Sequence, residues 1–172
     1  MYATSEWSWE TATDPEEVHL LLCASDAYQA ARYGVAIPIR QQSTTDRLVR
    51  TGAVHLLRLG PETIGMFTLS RTPPFDDLSA FPPANNPAYL QRLAVRPEHL
   101  EDTSIAGARC LRKAIELAAR RGADALRAEA NPDLTATHTL LQLMGFSQYG
   151  EVHTDGVRRW IFLQKALQTT DR

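Results

Sequence analysis

Apolar positions along this chain recur at strand spacing in some stretches and at helix spacing in others, and the switches between them mark its elements. Glu6 to Thr13 sets Trp7 and Trp9 among polar neighbours and predicts a first strand. Thr13-Asp14-Pro15 then opens a helix. Asp14 is a candidate N-cap, Pro15 suits the first helical position, and Glu16 and Glu17 suit the positive end of the helix dipole. Val18, Leu21, Leu22 and Cys23 share one face, and the helix is expected to run to about Ala31 before Tyr33-Gly34 breaks it. Val35 to Ile39 is apolar, but Pro38 makes it an extended connector rather than a central strand. A second helix is expected from near Thr44 to Arg50, stopped by Thr51-Gly52. Val54–Leu59 and Thr63–Ser70 predict a hairpin around Gly60-Pro61-Glu62.

Arg71 to Pro87 is proline-rich and shows no periodicity, which leaves two readings, a functional loop or a floppy insertion. Tyr89 to Val95 reads as a strand, followed by Arg96-Pro97 and a polar loop from His99 to Ser104. A long amphipathic run from Ile105 to Arg121 comes next, closed by Gly122. Ile105, Ala108, Leu111, Ile115 and Ala118 fall on one face, with Arg109, Arg112, Lys113 and Glu116 off it. A strand leading through a loop into a helix N-terminus makes an anion site, because free backbone N–H groups and the helix dipole point the same way. That geometry suits the pyrophosphate of a nucleotide-like cofactor. Ala125–Ala130 predicts another strand. Pro132 and Asp133 are expected to start a helix through Leu140-Leu141 to Met144, with Gly145 as its C-cap. Ser147–Val152 and Val157–Gln164 predict a closing hairpin around Asp155-Gly156. The order β-α-α-β-β-loop-β-α-β-α-β-β describes an α+β domain spanning 1–172. Its mixed central sheet contains a β-α-β unit with a right-handed crossover.

Composition narrows the function. The chain has 172 residues with 44% hydrophobic and 22% charged positions, ordinary for one globular domain. A net charge of −2 gives no basic surface for nucleic acid. Met1 to Glu10 lacks the basic and apolar regions of a secretion signal, and no apolar run reaches membrane-span length, so the expectation is a cytoplasmic protein without a membrane partner. Cys23 and Cys110 stand far apart with no metal-ligand spacing and are expected to be reduced, buried thiols. No zinc spacing, P-loop, Ser-His-Asp order or dinucleotide fingerprint occurs.

Leu93-Ala94-Val95-Arg96-Pro97, a loop, an Ala/Leu-rich helix and Gly122 together resemble motif A of the GNAT acyl-CoA N-acyltransferases. Leu126-Arg127-Ala128-Glu129 and Leu143-Met144-Gly145-Phe146 resemble the next strand and the end of motif B. The resemblance covers the second half of the chain well and the first half loosely. Order and spacing carry it, more than any single motif. It implies a single GNAT-like domain in which the strands at Tyr89 and Ala125 lie parallel and splay apart around an acyl chain. It implies acyl transfer, acetyl first, from acetyl-CoA or another acyl-CoA to an amine of a small molecule or peptide. Main-chain groups of Leu93, Ala94 and Val95 would hold the pantetheine arm. Thr103 and Ser104, with the N–H groups of Ile105, Ala106, Gly107 and Ala108, would hold the pyrophosphate. A homodimer stays open, and in a transferase the 71–87 loop could cover the acceptor.

The chain also departs from the family pattern. The pyrophosphate loop Q/R-x-x-G-x-G/A meets Glu101-Asp102-Thr103-Ser104-Ile105-Ala106-Gly107-Ala108. Aligned from the strand, its glycines become Ser104 and Ala106 and its cation becomes Glu101. Aligned from the helix, they become Ile105 and Gly107, with Asp102 at the cation position. Paired carboxylates repel a pyrophosphate, and Asp102 and Thr103 equally suit a helix N-cap. The family's thiolate-protonating Tyr falls on Leu141, and its loop Asn falls on Leu134, with Asn131 one turn earlier as a substitute. The remaining catalytic candidates are Glu129, as a base through a water, and His138, as acid or base. Their alternatives are a solvent-facing strand carboxylate and a helix-surface histidine. Tyr89 and Arg92 are expected on opposite faces of their strand. Tyr28 and Tyr33 line an acceptor pocket or pack in the core, and His153 and Asp155 suit a turn. Two other readings follow from the losses. One is a GNAT-fold binding or interaction module without transfer chemistry. The other is an acyltransferase whose donor is bound to a carrier protein.

Overall fold

The computed structural model describes residues 6–100 and 105–168. Its elements run β1 (Trp7–Thr11), α1 (Pro15–Tyr33), α2 (Gln42–Arg50), β2 (Val54–Leu59), β3 (Glu62–Ser70), β4 (Pro87–Val95), a short 3-10 turn (Pro97–His99), α3 (Ile105–Arg120), β5 (Ala125–Ala130), α4 (Thr135–Leu143), β6 (Ser147–Asp155) and β7 (Arg158–Ala166). Local chemistry sets the boundaries of α1. The Asp14 carboxylate accepts the Glu16 N–H at 3.0 Å, and Gly34 takes the left-handed conformation, φ +66°, that ends the helix.

The seven strands form one sheet in the order β1-β2-β3-β4-β5-β7-β6. Only β4 and β5 are parallel, as a β-α-β unit around α3 requires. Alternate strand residues bury against different helices. Val54, Leu56, Met66 and Ala94 join the core under α1 and α2. Leu57, Phe67, Leu69, Ala88 and Leu90 join the core that Cys110, Leu111 and Ala114 of α3 complete. No helix of the described residues is long and apolar enough to cross a membrane.

Three local expectations change. Arg92 is the only described non-glycine residue with positive φ, +53°, and the β3–β4 register steps from Met66↔Ala94 to Thr68↔Gln91. One extra residue therefore bulges from β4. Tyr89 lies opposite Ser70, on the Met66 face, while the bulge turns Arg92 toward α2, where its Nη1 donates to Thr45 Oγ1 at 2.9 Å. Tyr89 and Arg92 thus share a face, contrary to strict alternation. Helix α4 starts at Thr135 rather than Pro132. Asn131 Oδ1 accepts the Asp133 N–H at 2.9 Å, and the Asp133 carboxylate pairs with Arg159, so the segment turns before it winds. The final hairpin is longer than its sequence pattern, with β6 reaching Asp155 and β7 reaching Ala166.

The 71–86 segment has no regular structure but is anchored at both ends and at two aromatic rings. Phe75 and Phe81 pack on Phe162 with ring centroids 5.2 and 5.1 Å away. Arg127 donates to the Pro82 carbonyl at 2.8 Å, and Asp124 accepts the Asn85 and Asn86 N–H groups. These contacts lay it over the β4–β5–β7 face.

Candidate active site

The β4–β5 ladder pairs Pro87 to Leu90 with Ala125 to Ala128 and then stops. Beyond it, Gln91, Ala94 and Val95 pair only with β3, while Glu129 and Ala130 pair only with β7. The two parallel strands therefore part at their C-terminal ends, where the bulge at Arg92 sits. Opening a parallel pair frees main-chain groups that would otherwise be spent in the ladder.

A cleft of about 70 Å³ lies at this opening. One water needs roughly 10–15 Å³ on that scale, so the space suits a narrow chain more than a ring system. Leu93, Ala94 and Val95 form its floor. The 3-10 turn contributes His99 and Leu100, α3 contributes Gly107, and α4 contributes Ala136, Thr137 and Leu140. The fourth wall is a polar stripe on α1: Ser25, Gln29, Arg32 and Tyr33. Arg32 brings a guanidinium and His99 an imidazole, and among the described residues no carboxylate is in its lining. Ser25 Oγ accepts the Val95 N–H at a long 3.4 Å, so that strand donor is engaged across the opening rather than within the sheet. Gly107 keeps α3 and α4 close, since a Cβ there would stand 3.1 Å from Leu140 Cδ2.

The sequence candidates separate in this geometry. Leu93, Ala94, Val95 and Gly107 meet in the cleft. Ile105, Ala106 and Ala108 occupy the first turn of α3 outside its lining, with Ile105 exposed and Ala106 buried. Thr103, Ser104 and the Glu101-Asp102 pair lie outside the described residues. Asn131 follows β5 with its side-chain oxygen held by the Asp133 N–H. Glu129 is half-buried and ion-paired with Arg158. His138 is half-buried on α4, and its Nε2 is enclosed with no partner among the described residues. Neither Glu129 nor His138 lines the cleft. Leu141, at the position the resemblance gives to a tyrosine, is buried in the core beside Phe146.

The α1 stripe is what the sequence reading missed, apart from Tyr33. Its signal was present: positions 25, 29 and 32–33 continue, at helical spacing, the face that Val18, Leu21 and Leu22 begin, so polar residues extend the inward side of α1. In the sequence His99 stands only in a polar loop, with no spacing that ties it to this cleft.

On the α1–α2 face of the sheet, β5 and β7 build a second wall around Arg127, which is 6% exposed. Its guanidinium donates to Gln164 Oε1 at 2.8 Å, to Tyr89 Oη at 3.1 Å and to the Pro82 carbonyl, and it lies 4.7 Å over the Phe81 ring. Each nitrogen has a neutral acceptor, so this cation anchors structure. Among the described residues no His, Cys, Asp and Glu group could hold a metal ion.

No protein-family model matches the chain, and no curated protein does. Solved structures do match. A GNAT-family acetyltransferase from Streptococcus agalactiae superposes with TM-score 0.69 at 12% identity, covering 94% of this chain and 96% of its own. An N-acetyltransferase from Staphylococcus aureus gives TM-score 0.67 at 15% identity, covering 95% of this chain and 100% of its own. A ribosomal-protein-alanine N-acetyltransferase from Brucella melitensis gives 0.66 at 17%, covering 93% and 99%. The shared property at these identities is the fold, and the splayed β4–β5 pair with its cleft places this chain in the GNAT acetyltransferase fold.

Proposed function

We propose that the protein transfers an acyl group, acetyl first, from an acyl-CoA to an amine of a small molecule or peptide. The observation that carries this reading is the cleft where β4 leaves β5, floored by Leu93–Val95 and closed by Gly107 of α3. Its walls fit the donor. The narrow apolar floor suits an extended pantetheine arm, and the absence of a side chain at Gly107 keeps room beside Leu140. The bound thioester would supply an activated acyl carbon. Main-chain groups of Leu93, Ala94 and Val95 would align the arm by hydrogen bonding. The N–H groups of Ile105 to Ala108, with Thr103 and Ser104, would take the pyrophosphate at the positive end of α3. Arg32 lines the same cleft and would add a guanidinium near the phosphates, with the His99 imidazole beside it. Asn131 is a donor candidate at the end of β5 if its turn reopens.

For proton transfer, Glu129 would act as base through a water once Arg158 yields, and His138 would act as acid or base. Tyr33 lines the cleft and would be a candidate proton donor, which buried Leu141 cannot be. Calorimetry and thermal shift with acetyl-CoA and longer acyl-CoAs test the reading. Saturable binding is expected. No heat and no shift at millimolar ligand would overturn it.

Buried Leu141, engaged Asn131 and ion-paired Glu129 favour a second reading, a binding module that keeps the fold without transfer. A donor presented on a carrier protein, which lacks the adenosine nucleotide, accommodates the changed pyrophosphate loop. A turnover assay with several acyl donors separates the readings. Release of free thiol that falls at least about tenfold in Glu129→Gln or His138→Ala excludes the binding module. No turnover with any donor, alongside a ligand that stabilises the fold, excludes the transferase.

A further inference from the structure

A second cavity, about 300 Å³, lies at the other end of β4. Ala88 at the start of β4, Ala118 in the last turn of α3 and Leu48 of α2 form its apolar part. Around them stand three guanidiniums, Arg47, Arg71 and Arg121, and among the described residues no carboxylate contributes to the wall. Ser70, Thr51 and Thr72 add hydroxyls. The whole chain carries a net charge of −2, so this concentration of positive charge runs against the average of the molecule.

Among the described residues the three arginines form no ion pair, a condition they share with Arg50, Arg92, Arg109, Arg112 and Arg127, but only these three converge on one cavity wall. Arg40, Arg58, Arg158 and Arg159 each meet a carboxylate. Among the described residues none of the three cavity arginines does. Arg71 is held by neutral acceptors, Asn86 Oδ1 and the Arg121 carbonyl, which fix its guanidinium without neutralising it. A cation at a helix C-terminus suits the helix dipole, and Arg47 in the last turn of α2 and Arg121 just beyond α3 satisfy that rule. The dipole explains one cation per helix. It does not explain Arg71, which comes from the 71–86 segment, or the convergence of all three on one cavity.

We propose that this cavity is a binding site for a small phosphate-bearing anion, separate from the cleft at the β4–β5 opening. Guanidinium groups match phosphate oxygens in geometry and stay charged at any working pH, while the Thr51 and Ser70 hydroxyls donate to the Leu48 and Thr72 carbonyls and would have to turn to reach the anion. The volume lies at the lower end of small-molecule sites, which fits a compact phosphorylated molecule rather than a nucleic acid.

The test uses inorganic pyrophosphate as probe, titrated into the full-length chain by calorimetry. Three proteins are compared: wild type, Arg47→Gln/Arg121→Gln, and the control Arg50→Gln/Arg120→Gln. The control removes the same charge from the same helix ends but from side chains outside the cavity wall. Wild type and control are expected to bind saturably with Kd below about 1 mM, and the cavity variant at least tenfold more weakly. Arg47 and Arg121 are both exposed, and each single variant gives a second measurement should the double variant fail to fold. No saturable binding by wild type overturns the proposal. So does equal binding by the cavity variant, which would put the anion elsewhere, such as the start of α3. Acetyl-CoA titration of the same proteins reports on the cleft independently, so failure of one site is distinguishable from failure of the other.

Discussion

His55 should give the protein a stability loss on mild acidification that a single substitution removes. The side chain is 9% exposed on β2, opposite Phe67 of β3, and its ring stacks on the Phe67 ring with centroids 5.1 Å apart. Its Nε2 is enclosed with no partner among the described residues. Burial, and then the positive charges of Arg121 and Lys113, push its pKa from 6.5 down to about 4. The folded protein therefore keeps His55 neutral at a pH where the unfolded chain already binds the proton. Between about 4 and 6.5 the unfolded state holds more protons, so stability rises with pH through that window. It is fully present above 6.5 and is lost progressively as pH falls toward 4. At about 1.4 kcal/mol per pH unit, the complete loss is about 3 kcal/mol, of which about 2 kcal/mol is gone by about pH 5.

Replacing His55 by Phe removes the titrating group and an unsatisfied buried nitrogen together. At pH 7.5 such a change should shift stability by no more than about 1 kcal/mol. Urea melts of both proteins at pH 7.5, 6 and 5 should then diverge: wild type loses about 2 kcal/mol that the variant keeps. Carboxylates do not confuse this window. The bond from Thr63, with help from Arg58, holds Glu17 below its ordinary 4.5, so its contribution is lost only below that pH. Parallel melts of the two proteins between pH 6.5 and 5 would refute the argument, as would an imidazole resonance of His55 that titrates near 6.5.

Three further substitutions probe the packing. Gly65→Ala would place a Cβ 2.9 Å from Cys110 Sγ and 3.4 Å from the Ala94 carbonyl, in a fully packed core, and should cost about 1–3 kcal/mol in urea melts. Adding Cys110→Ala should recover part of that cost, as a double-mutant cycle would show. Gly107→Ala adds a methyl 3.1 Å from Leu140 Cδ2 in the cleft wall, and acetyl-CoA affinity by calorimetry should fall at least about tenfold while the melting temperature moves little. Arg127→Met strands Tyr89 Oη and Gln164 Oε1 and removes the stacking on Phe81, so a loss of about 2–4 kcal/mol is expected in denaturant unfolding.

The elements of the fold were legible because local chemistry and tertiary packing agree in them. Pro15 after Asp14, Gly34, and Val18, Leu21 and Leu22 of α1 mean in the structure what they mean in the sequence, whereas the buried face of α3 runs through Ala106, Cys110, Leu111, Ala114 and Ala118 and leaves Ile105 exposed. The β4–β5 neighbourhood was legible through the β-α-β pattern and the family resemblance. The site was less so, for two physical reasons. First, a wall built by distant elements has only a weak local signature: Ser25, Gln29 and Arg32 continue the inward face of Val18, Leu21 and Leu22 with polar side chains, and what they meet is set only when β4 lies against them. Second, partners decide availability. Asn131 and Glu129 stand in the stretch the resemblance marks, but the Asp133 N–H and Arg158 already occupy their oxygens. Asp133 suits a helix start by residue type, yet Arg159, distant in sequence, draws it away.

The bulge at Arg92 joins fold and site most directly, and it left no mark on the alternation of Tyr89 to Val95. A non-glycine residue at φ +53° carries roughly 1–3 kcal/mol of strain and persists only where its surroundings hold it. Here the hold is a relay. Arg92 donates to Thr45 Oγ1 on α2, and the same hydroxyl lies 3.1 Å from His19 Nδ1 on α1. The strain in β4 is thus tied to both helices on that face. One of those helices carries the Ser25–Tyr33 stripe that forms the far wall of the cleft. Shifting the register by one residue at Arg92 leaves Ala94 facing α1 and α2, in the core with Leu22 and Leu48. It leaves Val95 with its N–H toward Ser25 instead of β3. A flat β4 would keep its partner on β5 for longer and bury the groups that now face the cleft. The local strain and the opening of the sheet are therefore one structural event, and the side chains that sustain it lie on α1 and α2, far in sequence from the strand they shape.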